Sequence, residues 1–453
     1  MTETLRKLNC SETPWYLLKL ALELDPGHRV FRLALPPLAP TTVVVADPHA
    51  ARFVLSSKGV DKPYVYQEFA AMTKGLPSVF TRKSSDPQQS KIRKGVAPAF
   101  SARRVEAAMA SDGTARVIEE LFRILDSGEP FDPAETMTMA TLDILGLVSF
   151  GGFEFRTLRG GDSSTGRIFL EELPLALAEY SLRRMFDPFR KYYYLFTAEG
   201  RRAQKAADTI FDIARQVLEN RPSGSSSSSS ILDHVVATNG YASRDERIAD
   251  VLNFLIGGHD TTGFSLAFAL FEIAKKGRDF AARIRAELRA GTEDLLERVI
   301  KEAMRLWPVA AMGSFREVTN PGGLVIPDTG LYLPEGATCV TPLFPILRAA
   351  PGVEDPDVFD PDRWLDPDQA QALRDAHFPF SLGSRNCVGM ALAMAEIRHV
   401  LAALIEHYDF ALVSDFETAY FLTLKPKGGL LRATKVLHSS VITTPGFSTA
   451  SKK

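Results

Sequence analysis

The most constraining feature of this sequence is a long apolar helical segment with a polar interruption at its centre. Residues 247–274 have the hydrophobic pattern of a helix inside a large core, yet GGHDTT occupies residues 257–262. Each glycine costs about 1 kcal/mol relative to alanine in a helix interior, and a buried Asp260 costs more unless it is bound or solvated. A chain that keeps such residues in its core helix is expected to use them.

Two explanations fit this segment. Gly257 and Gly258 remove side chains from one face, so that a flat ligand can lie against the helix and a local π-like widening can release a backbone carbonyl. Asp260 and Thr261 would then supply an acid and a hydroxyl for proton transfer. In the alternative, the segment is a structural kink whose hydroxyls bond back to preceding carbonyls. From these residues alone both explanations stay open.

Composition excludes several classes of protein and partner. The chain has 453 residues, 45% of them hydrophobic, which is typical of a globular protein with a large core. Its 53 Lys and Arg against 55 Asp and Glu give a net charge of -2, so we expect no nucleic-acid partner. Three widely separated cysteines indicate a reducing, intracellular location and neither a disulfide framework nor a zinc site.

Two stretches of the sequence indicate whether the protein could contact or span a membrane. The apolar run at residues 15–22 is too short to span a bilayer and predicts an amphipathic first helix, with a surface-lying helix as the alternative. FRKYYYLF at residues 189–196 mixes basic and aromatic residues, and we interpret it as a partly buried segment. We therefore predict no transmembrane helix and a protein that is cytoplasmic or peripheral to an organelle membrane.

Periodicity predicts a mainly α fold with a smaller β portion, an α+β class. Short β-type runs occupy residues 29–46 and 318–339. RPSGSSSSSS at residues 221–230 predicts a flexible loop, and residues 439–453 form a polar tail. Besides the central helix, helical patterns cover residues 102–125, 137–147, 203–219, 281–306 and 390–407.

A charged pair precedes the end of one predicted helix. Glu302 and Arg305 are three residues apart and share a helical face before Pro308. Exposed pairs of this kind contribute little to stability, so the pair alone does not indicate a function. FDPDRW at residues 359–364 supplies a further arginine that could bury the pair. We expect Arg363 to complete a buried network with Glu302 and Arg305.

A cysteine stands in a glycine-rich loop just before the last predicted helix, in FSLGSRNCVG at residues 380–389. A helix N-terminus would lower the pKa of the Cys387 thiol, and Gly383 and Gly389 would permit tight turns and close approach to a large planar group. Cys387 could be a nucleophile, a thiolate ligand of haem iron, or an inert core cysteine. A nucleophile lacks a histidine base placed by the sequence, and an inert cysteine explains neither the glycines nor Arg385. A haem thiolate explains both, with Arg385 pairing a propionate.

Together, GGHDTT, Glu302 with Arg305, FDPDRW and the cysteine loop resemble, in order and separation, the motifs of the cytochrome P-450 superfamily of haem-thiolate monooxygenases. The loop matches Phe-x-x-Gly-x-Arg-x-Cys-x-Gly through Phe380, Gly383, Arg385, Cys387 and Gly389. The resemblance covers roughly residues 30–435. It implies one haem-thiolate domain for residues 1–453, with haem between the long central helix and the cysteine loop.

The resemblance also implies roles for individual residues. Cys387 would be the axial iron ligand, and Asp260 with Thr261 would deliver protons to bound dioxygen. Arg385, Arg93 and Arg316 would bind the haem propionates. Two positions depart from the family pattern. Gln89 stands where the family usually has Trp, which puts one propionate contact in doubt, and Leu347 precedes Arg348 where His is commoner.

The implied activity is insertion of one oxygen atom from O2 into a lipophilic small molecule of the fatty acid, terpenoid or sterol class. The cofactor is haem b, and electrons come from NADPH through a separate flavoprotein reductase or ferredoxin, which we expect near Arg93, Lys94 and Arg398. Two alternatives are a haem-thiolate isomerase or dehydratase of hydroperoxides, and a non-catalytic haem carrier or sensor. Asp260 and Thr261 together favour oxygen activation over the first of these.

Overall fold

The computed structural model describes residues 12–24, 27–35, 40–180, 192–220, 230–327 and 329–436. Residues 221–229 of the predicted Ser-rich loop and the polar tail at 439–453 lie outside these ranges. The last residue of that loop, Ser230, is not part of a loop interior, because it begins a helix through a reciprocal capping box with Asp233.

Helices account for most of the described chain. The short helices are α1 (Thr13–Glu23), α2 (Pro48–Ser56), α3 (Val65–Phe69), α5 (Ala102–Met109), α9 (Tyr193–Phe196), α11 (Ile231–Ala237) and α15 (Leu343–Arg348). The longer ones are α4 (Pro87–Val96), α6 (Asp112–Leu125), α7 (Pro133–Ile144), α8 (Thr165–Tyr180), α10 (Ala198–Glu219), α12 (Arg244–Lys276), α13 (Arg278–Arg289), α14 (Asp294–Leu306), α16 (Pro367–Ala376) and α17 (Met390–His407).

A five-stranded sheet lies beside the helices, in the order β1-β2-β7-β4-β3. Its strands are β1 (Val30–Leu33), β2 (Thr42–Val45), β3 (Val60–Asp61), β4 (Ser314–Val318) and β7 (Thr338–Thr341). Only β2 and β7 pair in parallel within it. Three two-stranded sheets are formed by β5 (Leu324–Val325) with β6 (Tyr332–Leu333), β8 (Tyr408–Ser414) with β11 (Leu430–Lys435), and β9 (Glu417–Tyr420) with β10 (Leu424–Lys427). The prediction of a mainly α fold with a smaller β portion is confirmed.

The central helix α12 crosses the core and packs most closely on α7. A Cβ atom at Gly263 would lie 2.8 Å from Thr138 Cα, and one at Gly258 would lie 2.9 Å from the Leu145 side chain. Real Cβ atoms do not approach so closely, so both glycines permit the helices to touch. This corrects part of our interpretation of the glycine pair, since Gly258 serves helix packing. Gly257 has no neighbour within 4 Å of its Cβ direction and is the glycine that opens space.

The structure also corrects two predicted helices by dividing them. The segment 102–125 breaks before Asp112, where the Ser111 hydroxyl accepts the Thr114 N–H as an N-cap. The segment 281–306 breaks at Gly291, whose φ of +78° lies in the left-handed region that glycine adopts readily. A π-helical turn does occur, but at Leu145–Ser149 after α7, whereas α12 is regular α-helix throughout.

Candidate active site

The cysteine loop connects a short 3₁₀ turn, Gly383–Arg385, to α17. The Cys387 N–H donates to the Phe380 carbonyl at 2.8 Å, which closes the loop on itself. Gly383 has a φ of +71°, and a Cβ there would lie 2.4 Å from the Leu55 carbonyl oxygen. Its close approach is therefore to the backbone at the end of α2. Among the described residues, Gly389 has an ordinary φ of −85° and no neighbour closer than 3.8 Å to its Cβ direction. Gly383 therefore supports the predicted tight turn, Gly389 needs no left-handed conformation, and the close approach of a planar group stays a prediction.

The thiol of Cys387 does not have the lowered pKa that we expected. Burial raises its pKa above the ordinary value, while the Gly389 N–H and the positive charge of Arg93 act in the opposite direction. Cys387 lies two residues before Gly389, the N-cap of α17, where the influence of the helix dipole has already declined.

Four cationic side chains from separate parts of the chain meet beside this loop. Burial lowers the pKa of Lys62 well below its usual range, and the positive charges of Arg385, Arg316 and Arg93 lower it further. Three of these four side chains are withdrawn from water, and we call them the cation cluster: Lys62, Arg316 and Arg385. Lys62 is 5% exposed and Arg316 is 2% exposed, and burial lowers the pKa of Arg385 to about 10. The negative charge of Asp61 acts in the opposite direction on the pKa of Lys62. Such a concentration of buried positive charge is costly unless an anion binds to it.

The cation cluster keeps unused hydrogen-bond donors. Arg316 donates through Nη1 to the Phe315 carbonyl at 2.8 Å, and Arg385 donates through Nη2 to the carbonyls of Val79 and Arg82 at 3.1 and 2.8 Å. Among the described residues, neither Nη2 of Arg316 nor Nη1 of Arg385 has a hydrogen-bond partner, although both atoms are buried. Buried donors of this kind cost free energy. The cluster therefore has the charge and the free donors to bind an anionic group.

On α12, the acid and the alcohol have different partners. The Thr261 hydroxyl donates to the Gly257 carbonyl at 2.8 Å, which is the hydrogen bond that we assigned to the structural alternative. Asp260 Oδ1 lies 3.0 Å from Nε2 of His259, whose ring is fully buried. The helix is not widened at this point, so the bond to Thr261, and not a π turn, occupies the Gly257 carbonyl.

One mostly apolar cavity brings the central helix and the cysteine loop together. Its polar wall is made by Thr261, Thr262 and Ser265 on α12. Phe380 of the cysteine loop forms part of the opposite side. The remaining lining residues are Met304, Pro308, Val309, Ala310, Pro379, Ala393 and Ile397. The structure thus brings together GGHDTT and the cysteine loop, which are more than a hundred residues apart in the chain.

Comparison with known proteins agrees with this geometry. The family model described as Cytochrome P450 matches residues 28–433. This chain belongs to the cytochrome P450 family.

Several relatives are similar over parts of this P450 chain. Averantin hydroxylase of Dothistroma septosporum is 33% identical over 39% of the chain and 35% of its own length. Cytochrome P450 4F12 of Homo sapiens is 30% identical over 52% of the chain and 50% of its own length. Cytochrome P450 monooxygenase btcC of Neocamarosporium betae is 24% identical over 87% of the chain and 86% of its own length. The chain thus spans half or less of the first two relatives and most of the third.

Haem b is the cofactor of the cytochrome P450 family, whose members are oxidoreductases. The residues present fit that cofactor. A haem carries two propionate carboxylates, and the cation cluster offers buried guanidinium donors that lack partners, at Arg316 Nη2 and Arg385 Nη1. Within the described residues, no three His, Cys, Asp or Glu side chains gather as a metal site, and a haem thiolate needs only one protein ligand of this kind.

Arg93 and Gln89 are both used by neighbouring backbone. Arg93 donates through Nη2 to the carbonyl and the side-chain oxygen of Asn386, at 2.8 and 2.6 Å, and so holds the cysteine loop. Gln89 is buried, and its amide donates to the Val79 carbonyl at 3.2 Å. That carbonyl also accepts from Arg385, so Gln89 supports the segment that holds the cation cluster.

Glu302, Arg305 and Arg363 form the buried charge network that FDPDRW led us to expect. Arg305 binds both carboxylate oxygens of Glu302, at 2.8 and 2.9 Å, and Arg363 Nε donates to Oε1 at 2.8 Å. Trp364 Nε1 and the Asp360 N–H also donate to this carboxylate, at 3.1 Å each. The remaining guanidinium donors of Arg305 and Arg363 bond to backbone carbonyls. Because the charges and donors of these side chains are paired, we call Glu302, Arg305 and Arg363 the closed network.

Sequence reasoning missed several buried polar residues near the site. Lys62 gave no signal, because a lone lysine just after a short strand is ordinary. Asp250, on α12, accepts the Val79 N–H and the Tyr241 hydroxyl, both at 2.6 Å, and burial raises its pKa to about 6. Glu396, on α17, is 1% exposed, and burial raises its pKa well above the usual range. A carboxylate inside an otherwise apolar helix stripe was the available signal for both acids.

The exposed surface includes part of the segment 189–196, which we expected to be partly buried. Its residues 189–191 lie outside the described residues, whereas Tyr194, Leu195 and Phe196 are 42%, 52% and 78% exposed, so the expectation was wrong at these three positions. No helix within the described ranges combines the length and apolar character needed to cross a bilayer.

Proposed function

We propose that this P450 inserts one oxygen atom from O2 into a lipophilic small molecule. The observation that supports this most directly is the cavity shared by Thr261 and Phe380, because the alcohol of the acid-alcohol pair and the cysteine loop then line one apolar space. Haem iron bound by a thiolate supplies the oxygen-activating chemistry. The other tasks belong to side chains of this chain.

The cysteine loop and the cation cluster would hold the cofactor. Cys387 is the iron ligand in this proposal, and the loop that carries it is held by the Phe380 carbonyl and by Arg93. Arg316 and Arg385 would bind propionate oxygens through their free donors, with Lys62 adding positive charge. Arg93 would hold the cysteine loop through Nη2, and it remains a candidate propionate ligand through its other guanidinium donors.

Asp260 and Thr261 would control proton delivery. The Thr261 hydroxyl donates to the Gly257 carbonyl, so its oxygen lone pairs remain available to accept a hydrogen bond in the cavity. The side chain of Asp260 is 18% exposed and can exchange protons with water, while its other neighbour is His259. A proton can then pass from water through Asp260 to the Thr261 side of the cavity.

The cavity lining favours a lipophilic substrate of the fatty acid, terpenoid or sterol class. Methionine, valine, proline, alanine, isoleucine and phenylalanine side chains make most of its wall, and the polar groups are hydroxyls without charge. Burial of apolar substrate surface against such a wall provides binding energy, and the hydroxyls orient the substrate.

A separate redox partner would dock on the cysteine side. Lys94 is exposed next to Arg93 on α4, and Arg398 on α17 is 41% exposed beside Glu293. An acidic partner surface would find complementary charge there. Contact with a membrane surface, in an intracellular setting, is supported by the exposed apolar side chains of Leu195 and Phe196.

The first test is the reduced, CO-bound absorption spectrum of the purified protein and of Cys387→Ala. We expect a thiolate-type, red-shifted Soret band in the parent alone. A folded, haem-loaded parent without that band would contradict the oxygen-activating function and favour a carrier or sensor.

The second test separates oxygen insertion from hydroperoxide isomerisation. The parent, a NADPH-dependent P450 reductase and a panel with one fatty acid, one terpenoid and one sterol should yield an oxygenated product that contains one atom from ¹⁸O2. Thr261→Ala should keep the CO spectrum and release most reducing equivalents as hydrogen peroxide. The control is Thr209→Ala, which removes the same hydroxyl-to-carbonyl bond, to Lys205 at 3.0 Å, on the exposed face of α10. Unchanged coupling in Thr261→Ala would remove the role of the hydroxyl.

A further inference from the structure

Three side chains from separate elements meet at the peptide groups of Val79. Asp250 of α12 accepts the Val79 N–H at 2.6 Å. The Val79 carbonyl accepts from Gln89 of α4 at 3.2 Å and from Arg385 of the cysteine loop at 3.1 Å. Asp250 is 0% exposed, and its other oxygen accepts the Tyr241 hydroxyl at 2.6 Å. A carboxylate so far from water is costly, and neither oxygen insertion nor proton delivery uses it.

Val79 belongs to a short segment, residues 78–82, which we call the carbonyl segment. Its carbonyls accept hydrogen bonds from two members of the cation cluster. Arg385 Nη2 donates to two of them, at 2.8 and 3.1 Å, and Lys62 Nζ donates to a third. The segment is irregular apart from one turn, whose local hydrogen bonds fix its shape but not its place in the fold. That place is set by bonds to neighbouring elements, among them the bond from Val79 to Asp250.

The orientation of Arg385 depends on the carbonyl segment. A guanidinium is planar and rigid, so the direction of Nη1 is determined once Nη2 is bound. Nη1 is buried and finds no hydrogen-bond partner in the ranges that the structure describes, and it is one of the two donors that we assign to a propionate. A shift of the Val79 peptide would turn this donor away from a carboxylate without removing any charge from the cation cluster.

We infer that Asp250 is a positioning residue for the anionic groups of the cofactor. It acts through the Val79 peptide, which transmits the position of α12 to Arg385. The hydrogen bond acts by direction and not by charge, because a negative group near the cation cluster would by itself weaken the binding of an anion. This inference rests on the proposed binding of a propionate by Arg385. It predicts that loss of Asp250 harms a cofactor with free carboxylates more than one without them.

Two porphyrins separate this positioning role from a general loss of structure. Haem b carries two propionates, and its dimethyl ester has the same ring and iron without those charges. Transfer of each porphyrin from the full-length protein to an acceptor globin gives two release rates. The ester rate divided by the haem b rate measures the preference for free carboxylates. In Asp250→Ala this preference should fall on the order of tenfold, as for other residues that orient a ligand-binding group.

Three further variants make the test specific. Asp250→Asn should keep the parental preference, because its amide oxygen can still accept the Val79 N–H. Asp250→Glu keeps the charge but moves the carboxylate by one methylene group, so it should lower the preference, and it decides the question if Asp250→Ala does not fold.

The matched control is Asp143→Ala. Asp143 on α7 is 7% exposed and accepts the N–H groups of Thr157 and Leu158 at 2.9 and 3.1 Å, so it too is a buried acid that holds a backbone segment. A general loosening of the fold in this variant should speed the release of both porphyrins alike and leave their ratio unchanged.

The outcomes separate the inference from the proposed function. A preference in Asp250→Ala equal to that of Asp143→Ala would overturn the inference. A rise above the parent would do so as well, because only the repulsion by a negative charge would then have been removed. An equal loss in Asp250→Asn would exclude the hydrogen bond as the cause. If Arg316→Met lowers the preference and Asp250→Ala does not, only the inference fails, and if neither variant lowers it, the propionate site itself is wrong.

Discussion

Two groups of buried charges in this P450 differ in how completely they are paired. In the closed network, Glu302 receives five hydrogen bonds, and the guanidinium groups of Arg305 and Arg363 use their donors on that carboxylate and on backbone carbonyls. In the cation cluster, three basic side chains lie together, and two buried donors have no hydrogen-bond partner within the described part of the chain. Both groups are buried and both contain two arginines.

The difference indicates function. A buried charge network whose members are all satisfied joins segments of the fold, here α14 to the segment that precedes α16. A buried cluster with surplus charge and free donors destabilises the polypeptide by itself, and it is retained because a ligand completes it. Four predictions test this distinction.

The largest effect is expected from Glu302→Gln. Loss of the charge leaves Arg305 and Arg363 buried without a counterion, which should cost about 3–5 kcal/mol of unfolding free energy. Urea denaturation of the haem-free protein measures this loss. Glu297→Gln, at an exposed position of α14, is the control and should remain close to the parent. A Glu302→Gln protein as stable as that control would mean that the closed network does not stabilise the fold.

The next effect concerns Asp250, which holds the segment that carries the cluster's carbonyl partners. Burial raises its pKa to about 6 from an ordinary 3.8, so the folded protein binds this proton more tightly than the unfolded chain. This group's contribution to stability is therefore present below pH 4 and is lost as the pH rises through 6. Two pKa units correspond to about 3 kcal/mol.

Urea unfolding at pH 4.5 and pH 7 measures this dependence. In Asp250→Asn the difference in unfolding free energy between the two pH values should shrink by about 2 kcal/mol, because pH 4.5 already lies above the unfolded pKa. In Asp245→Asn, at an exposed position of the same helix, the difference should not change. Parallel pH profiles for the parent and Asp250→Asn would show that Asp250 titrates normally.

A third, smaller effect separates binding from folding at the cation cluster. Arg316→Met should raise the rate of haem transfer to an acceptor globin on the order of tenfold, as loss of an orienting contact does at other cofactor sites. The haem-free protein should keep its unfolding free energy, since a buried donor without a partner is removed. The control is Arg278→Met, because Arg278 is 69% exposed. If the haem-free variant is destabilised as much as Glu302→Gln, the cluster is structural and the comparison fails.

The smallest effect contrasts the two glycines of α12. Gly257→Ala should stabilise the haem-free protein by about 1 kcal/mol through helix propensity, because its Cβ would meet open space. Gly258→Ala should not gain this amount, since its Cβ would lie 2.9 Å from Leu145. Thermal unfolding of both variants decides the question, and equal shifts would mean that α7 and α12 can move apart freely.

Much of the fold and part of the site were readable from the sequence. The helix Met390–His407 and the strands within residues 29–46 lie where periodicity predicted them, and the breaks at Ser111 and Gly291 had local signals that the helical pattern obscured. The pairing of Glu302 with Arg363 could be predicted, because an acid beside an arginine on one helix and the arginine of FDPDRW supply opposite charges that would need each other if buried. The role of Lys62 could not be read, since it arises only where four distant segments meet.

The two adjacent glycines show a second limit. Consecutive residues on a helix point about 100° apart, so one faces open space and the other a neighbouring helix. The sequence alone does not show which of the two glycines faces the neighbouring helix, because that depends on where the packing partner lies. For the same reason, the exposed aromatic side chains around Leu195 could not be told from buried ones by composition.

The parallel pairing of β2 with β7 affects how the protein is made. Thr42 of β2 lies beside Thr338 of β7, so the sheet cannot be completed until most of the chain has left the ribosome. The cation cluster likewise forms only after Arg316 and Arg385 have been synthesised, because Lys62 lies far before both in the sequence. During synthesis, β2 can therefore pair only with β1 until Thr338 has been added, and the cation cluster stays incomplete until Arg385 follows, so chaperones would shield a growing chain whose sheet and site are both unfinished.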